Sequence, residues 1–532
     1  MPIRSRTTPR ELALAWWKKR VDANRYVVPS SDSPAPAVAR ELRAARLILE
    51  VAKRRVWILT EPARTDDRGI FLRNYWLVVA EVLRAWAPSA VVGIPAVHLY
   101  LGESAPPAVL PAIQGANGSR YAIELFDEFR LHLRPASILA AQIISVDAQG
   151  AAIGVLTPAN LLTTLDLREL EIGIEPVSAW LRHLQIRGPD LEATVTVRPR
   201  PLVLARIGEL AKGLGNKALA RQLDAAVKAV ATFPPSAAAT GVGTRLIVPA
   251  ALTALPRGTG SPWLDRQFMA LERFRGVLDD SLERQVGPPP GLSRARLVGN
   301  ARQAKQYDAY HNTTLEGYRI TKEVSDTVVN GTASTAIASG EELRAIMAVQ
   351  GYSHAFDMVI DLVRKPPAPR IDEALILDLY VELFRPSLDA GTLAEQDLRG
   401  WRTIPVGLAG GWRHAPPAHG KVASLVRGLS DFAARTDLRP LTRAVLLHLE
   451  FVTIHPFVDG NGRLGRLLMN YALLDAGYPW VTIRSDEKHP YFQALERAQV
   501  DGDIEMLGKF LAVHISQASS AASIAPATRR RR

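Results

Sequence analysis

The sequence predicts a multidomain protein: an α+β N-terminal half followed by an all-α C-terminal half. Three observations carry that reading. The chain has 532 residues, where one domain usually takes roughly 100–200. Up to residue 250, short β-branched runs alternate with helical stretches. From Trp263 onward, helical periodicity takes over.

The elements follow in order. Val38–Arg54 reads as an amphipathic helix with Leu42, Ala45, Ile48, Leu49 and Ala52 on one face. Asn74–Trp86 reads as a second helix. Val56–Leu59, Ile143–Val146, Ile153–Leu156 and Ala193–Val197 read as strands. Helices are expected over Leu202–Lys212 and Lys217–Thr232. The first domain is therefore placed at 1–250. Its end overlaps 234–262, a stretch rich in Pro, Gly, Ala, Ser and Thr that reads as a linker. A second domain covers 263–512, with Pro288–Gly291 as a break. Leu438–Ile454, Arg463–Leu474 and His489–Gln499 are its clearest helices. Residues 513–532, Ala/Ser-rich and ending in four arginines, read as a disordered basic tail.

Composition narrows the function. There is no cysteine, which excludes disulfides, Cys-ligated metals and thiol nucleophiles. That fits a cytoplasmic location. The net charge of +12 favours anionic partners. The start has no leader-like apolar core. The most apolar candidate span, Trp76–Arg84, is broken by Glu81, so no membrane segment is expected.

The chemistry is concentrated between Ile454 and Arg466, in the run IHPFVDGNGRLGR. An apolar helix runs into His455, where Pro456 stops it. Asp459-Gly460-Asn461-Gly462 is dense in turn residues, and a helix then resumes. A helix N-terminus exposes unpaired N–H groups and binds anions. Gly460 and Gly462 let backbone approach an anion closely. Arg463 and Arg466, three apart, share one side of the first turn and can clamp a polyphosphate. Asp459 puts a carboxylate where Mg²⁺ would sit beside phosphates. His455 is suited to general-base work.

These residues resemble the Fic (Fic/DOC) family, whose pattern HPFx(D/E)GNGRxxR is matched at every defined position by His455–Arg466. His448, Phe451 and Ile454 upstream, and the continuations RLLMN and AGYPWVTIR, extend the likeness over about residues 263–512. The resemblance implies a protein adenylyltransferase using ATP and Mg²⁺. It would transfer AMP to a Ser, Thr or Tyr hydroxyl of a target protein. His455 would take the proton and Asp459 hold the metal. Gly460, Asn461 and Gly462 would form the anion hole, with Asn461 on the α-phosphate. Arg463 would hold the β-phosphate and Arg466 the γ-phosphate, while Phe457 packs beside the loop.

Neighbouring segments fit the same family. Trp401–Pro417 resembles its flap, a β-hairpin with Gly410 and Gly411 at the tip. His489–Gln499 resembles the helix lining the adenine pocket, with Tyr491 and Gln499 in the base-contacting places; Gln499 departs from the family's Asn. His311–Gly317 resembles the inhibitory helix (S/T)xxxE(G/N), in which Glu316 would pair with Arg466 and block the γ-phosphate site. Asn312 stands where the hydroxyl residue is expected. Within the fold, UMP transfer, phosphate transfer and removal of AMP are alternatives.

The N-terminal half offers no catalytic constellation; His98, His132 and His183 are isolated. Val91–Gly102 followed by Tyr121–Val146 resembles in texture the AbiEi-type antitoxin regulators, which carry a winged helix. That resemblance implies a recognition or regulatory domain with DNA or an antitoxin-like partner. A nucleic-acid-binding regulator that merely senses nucleotide is the reading from another class. A homodimer is compatible with the sequence.

Overall fold

Thr8 opens the first helix, Pro9–Asp22, by closing a capping box with Glu11. The structure, a computed structural model, describes residues 8–23, 26–52, 55–60, 66–116, 118–197, 200–231, 262–331, 340–406, 408 and 412–524. The chain divides into two units: Met1–Met269 with Gly407–Ala415, and Ala270–Val406 with Pro416–Arg532. The first therefore extends past the expected boundary at 250. The expected linker, save Pro262, and Arg529–Arg532 lie outside the described residues.

The first unit holds two sheets. β1 (Val27–Pro29), β2 (Ile48–Val51) and β3 (Val56–Leu59) form an antiparallel sheet in the order β1-β3-β2. Helix Pro36–Ala44 packs Val38 and Leu42 into a small core with Ala13, Val28 and Trp57. The expected helix over Val38–Arg54 thus ends at Ala44. Arg46 turns the chain at φ 52°, and Ile48–Val51 pairs as a strand. Its β-branched and apolar residues satisfy both periods, and pairing with Val56–Leu59 decides between them.

The second sheet has six strands: β4 (Ser89–Val91), β5 (Val109–Gln114), β6 (Tyr121–Phe126), β7 (Phe129–Pro135), β8 (Ile143–Ala148) and β9 (Ala151–Leu156). Their order is β6-β7-β5-β4-β9-β8, with β5/β7 and β4/β9 parallel. Leu131, Leu133, Ile153 and Val155 fill the larger core with helices Tyr75–Arg84 and Ile174–His183. Ala193–Val197, expected as a strand, belongs to helix Gly188–Val197. Leu191 is buried there, and the Thr194 hydroxyl donates to the Asp190 carbonyl one turn back, so local bonding overrides β propensity.

The second unit is helical. Pro440–Ile454 and Asn461–Asp475 are buried on nearly every side, as helices at the centre of a bundle are. Helices Gly340–Arg364 and Glu373–Asp389 touch backbone to backbone: a Cβ on Gly351 would lie 1.9 Å from the Leu383 carbonyl oxygen, so only glycine fits. The tail expected to be disordered from 513 instead continues helix Glu505–Ile524, anchored by Leu507, Leu511 and Ile515. The described residues of Trp401–Pro417 form no strand, and Gly410 and Gly411 lie outside them, so a β-hairpin flap is not seen there. Among the described residues no helix is long and apolar enough to cross a membrane.

Candidate active site

Pro440 starts the helix that delivers His455, and His455 ends it in the left-handed region at φ 52°, ψ 60°. Its N–H donates to the Phe451 carbonyl at 3.0 Å. Nδ1 lies 3.3 Å from the Val452 carbonyl. A proton on Nδ1 satisfies that contact and leaves Nε2 with a free lone pair. Burial is the main cause that draws the imidazole pKa down to about 4, so the ring is neutral at pH 7.

Arg402 fastens this corner. It is 5% exposed, and its Nε donates to the His455 carbonyl at 2.8 Å while Nη2 also binds the Pro417 carbonyl. Its own N–H donates to the Pro456 carbonyl at 2.9 Å. The sequence did not mark Arg402, because its partners are backbone oxygens far along the chain.

The loop after His455 is clasped from within. Phe457 is buried and stacks on Tyr380 with ring centroids 3.6 Å apart. Asn461 accepts from the Phe457 N–H at 3.0 Å and donates to the Phe457 carbonyl at 2.9 Å. The Asn461 side chain thus shapes the loop through the Phe457 backbone. Asn461→Ala should cost about 2–3 kcal/mol, as two buried backbone groups lose their partners. A shifted midpoint in urea unfolding checks this; an unchanged midpoint contradicts it.

Gly460 caps the next helix at φ 83°. A Cβ there would meet Leu383 and Phe384 side chains at 2.9 Å. Asp459, about half exposed, takes the Gly460 N–H on Oδ1 at 2.6 Å. Its Oδ2 accepts from Tyr318 Oη at 3.1 Å and from Arg463 Nη2 at 3.3 Å. Arg463 and Arg466 are almost wholly buried. Among the described residues Arg463 Nε and Arg466 Nη1 have no hydrogen-bond acceptor, a pairing that an anion could complete.

Glu316 sits across this loop. It ends helix Arg294–Leu315, and its Oε1 accepts from Arg466 Nη2 at 2.6 Å. A Cβ built on Gly462 would fall 2.2 Å from that same oxygen. The carboxylate therefore rests against the glycine at the helix N-terminus. Asn312, the departure from the inhibitory pattern, also reaches Arg466: its Oδ1 accepts from Nε at 2.5 Å. Thr313 and Thr314 donate back to their own helix, at Ala309 and Tyr310, and take no part. The amide of Asn312 is held in turn by Asp308, which also accepts from Tyr352 and Thr482.

The structure thus gathers His455, Phe457, Asp459, Gly460, Asn461, Gly462, Arg463, Arg466 and Glu316 in one place. Tyr491 differs from expectation. It is wholly buried, with Arg466 over its ring and its hydroxyl 2.7 Å from His448 Nε2. Gln499 donates to the Thr453 hydroxyl at 3.1 Å. Tyr318, Asn312 and Asp308 were not picked out as site residues; the register between two helices distant in sequence creates their roles.

The donor set fits a polyphosphate: two buried arginines with unfilled positions, glycine backbone and a helix N-terminus. Among the described residues no three metal-ligating side chains converge. One carboxylate such as Asp459 still suffices for Mg²⁺ when phosphates supply the other ligands.

Residues 370–473 match the model of the Fic/DOC family and contain the whole loop. The chain is 30% identical over 240 residues to the protein adenylyltransferase Fic of Nematostella vectensis, covering 44% of this chain and 52% of that protein. It is 31% identical over 235 residues to the protein adenylyltransferase Fic of Drosophila grimshawi, covering 42% and 47%. The chain thus spans about half the length of these curated relatives. A Fic-domain-containing signalling protein from Bacteroides thetaiotaomicron aligns over 48% of this chain and 96% of its own, at 21% identity and a TM-score of 0.38.

Proposed function

We propose that this chain is a Fic-type protein adenylyltransferase, held in check by Glu316. The observation that carries the reading is the Glu316 carboxylate lodged between Arg466 and Gly462. An anion already rests where the loop is built to receive one.

In the reaction, a target hydroxyl oxygen attacks the α-phosphorus of ATP. The bond to the β-phosphate oxygen breaks, and pyrophosphate leaves. His455 Nε2 takes the hydroxyl proton. The Gly460–Gly462 backbone and Arg463 hold the phosphates in position, and Asp459 would hold Mg²⁺. The metal would supply charge neutralisation on the leaving oxygens. Arg466 would hold the terminal phosphate once Glu316 moves away. Such transfer needs mainly positioning and charge stabilisation. The absence of cysteine is compatible with action in the cytoplasm.

Intact-mass analysis of the Glu316→Gly chain after incubation with each nucleoside triphosphate tests this. One AMP unit added from ATP, with magnesium required, is the expected result. A UMP or phosphate unit instead would replace the reading with another Fic chemistry, and no adduct on any protein would reject it.

A second activity is favoured by the small sheet. Helix Pro36–Ala44 buries Val38, Ala39 and Leu42 and turns Arg40 outward, with Arg46 exposed beyond it, while Arg43 is paired with Glu50. The β2–β3 hairpin follows, an arrangement like a winged helix. Such a face suits duplex phosphates. Arg40→Ala in the full chain should weaken duplex DNA binding and lower the salt slope by about one. Gel shifts across a salt series measure it; no shift at low salt for the unaltered chain would end this reading.

A further inference from the structure

The first unit contains a cleft that the transferase reading does not use. Its volume is about 640 Å³, and it opens over the six-stranded sheet. Small-molecule sites fall in the same range. Arg120 precedes β6, Arg134 lies near the end of β7, Arg168 is on helix Leu167–Ile172, and Arg200 caps helix Pro201–Gly213. All four line the cleft.

The topology explains the convergence. Leu131 and Leu133 of β7 point into the core, so Arg134 points out of it. In the parallel pairing of β5 with β7, Arg134 stands beside Ile113. Val92, Ile113 and Ile172 give the cleft an apolar wall. A guanidinium and a branched aliphatic side chain therefore share its floor.

The charge is not balanced from within. Two carboxylates line the cleft, Asp166 and Glu169. Each accepts the other's backbone N–H in a capping box, at 2.8 and 3.0 Å. Glu169 is also packed against Gly93, where a Cβ would fall 2.5 Å from its Oε1. Arg200 donates to the Leu165 carbonyl at 3.0 Å. Among the described residues, no hydrogen bond is made by the side chains of Arg120, Arg134 or Arg168. Four guanidinium groups facing two engaged carboxylates leave a surplus of positive charge in a concave site. Like charges gathered this way are unfavourable until an anion neutralises them.

We propose that this cleft binds a small phosphate monoester carrying an apolar or aromatic body, of the nucleoside monophosphate class. Arginine's planar fork matches phosphate oxygens in pairs. The wall of Val92, Ile113 and Ile172 would take the body. A concave site of this size favours a small molecule over a nucleic-acid duplex.

AMP is the probe, and calorimetric titration of the full chain at low salt is the measurement. AMP could also enter the transferase loop, where its one phosphate would meet the Gly460–Gly462 backbone, so only binding that the cleft arginines control counts for the cleft. The unaltered chain should bind AMP. Replacing Arg134 and Arg168 with alanine should weaken that binding by about tenfold or more, with an unchanged melting curve because both arginines are exposed. Inorganic phosphate should bind about tenfold more weakly than AMP, since it cannot use the apolar wall. The proposal is overturned if the unaltered chain fails to bind AMP at millimolar concentration, or if removing both cleft arginines leaves affinity within about twofold. Equal binding of phosphate and AMP would reject the ligand class. Failure here leaves the transferase reading intact, because ATP-dependent labelling reads that site separately.

Discussion

Replacing Glu316 with glycine is expected to tighten ATP binding by about ten- to a hundredfold and to raise self-labelling by a similar factor. The size follows from one contact. A hydrogen bond to a charged group contributes about 1.5–3 kcal/mol, and each 1.4 kcal/mol is about tenfold in affinity. Glu316 Oε1 makes that bond to Arg466 Nη2 at 2.6 Å, in a place where the arginine is buried. ATP must break it to reach Arg466. In the variant that opposing term is gone, while Asn312 still orients the guanidinium through Nε. Glu316→Gln keeps shape without charge and should fall between the two. Calorimetric titration with ATP and incorporation of labelled AMP read the two effects separately. If both match the unaltered chain, Glu316 is a structural carboxylate and no inhibitor.

The variant should also melt at a lower temperature in the absence of nucleotide. Removing one partner of a buried pair leaves the other charge uncompensated. Saturating ATP should restore much of the loss, because ligand bound to the folded state stabilises it by mass action. Such reciprocity would tie the proposed inhibition and stability to the same guanidinium.

The site was legible in the sequence wherever local spacing sets geometry. A glycine-rich turn opening a helix, with arginines three apart, fixes an anion cradle through a handful of consecutive residues. Glu316 was legible as a motif, but its oxygen's position against Gly462 depends on how two helices pack. Asn312 shows the limit. Its sequence position suggested a lost hydroxyl contact, yet the longer amide reaches Arg466 Nε directly and is braced by Asp308. Asn461 shows another: its clasp on the Phe457 backbone is a loop geometry that residue spacing does not reveal. Tyr491 is readable from its place in the motif, but its burial under Arg466 depends on packing. In the fold, Val56–Leu59 is visible as a β-branched run, but its partner Ile48–Val51 also fits a helical stripe. Strand pairing, a nonlocal energy, decides it. Ala193–Val197 errs in the opposite sense, since β propensity yields there to helical bonding within one turn.

Replacing His455 with alanine is expected to lower AMP transfer by about a hundred- to ten-thousandfold while leaving ATP affinity within about twofold. The ring touches none of the anion-binding groups: Nδ1 is committed to Val452, and Arg402 holds the residue through its carbonyl. On the proposed mechanism its contribution is a lone pair on Nε2, felt only when a hydroxyl gives up its proton. Burial, with the pKa drawn down to about 4, sets the pH dependence. An imidazole with an ordinary pKa of about 6.5 would lose its base form through weakly acidic pH. Here kcat/KM should hold as pH falls through that region and drop only near about 4. The same shift acts on stability. The unfolded ring binds a proton below about 6.5 while the folded ring stays neutral, so the fold loses stability as pH falls from there toward about 4. His448, drawn down to about 3 chiefly by burial, adds to that slope. His455→Ala should therefore make acid unfolding less steep while lowering transfer. A working His455→Ala chain would assign the base elsewhere; an acidic limb near 6.5 would mean that the imidazole is not buried in the active state.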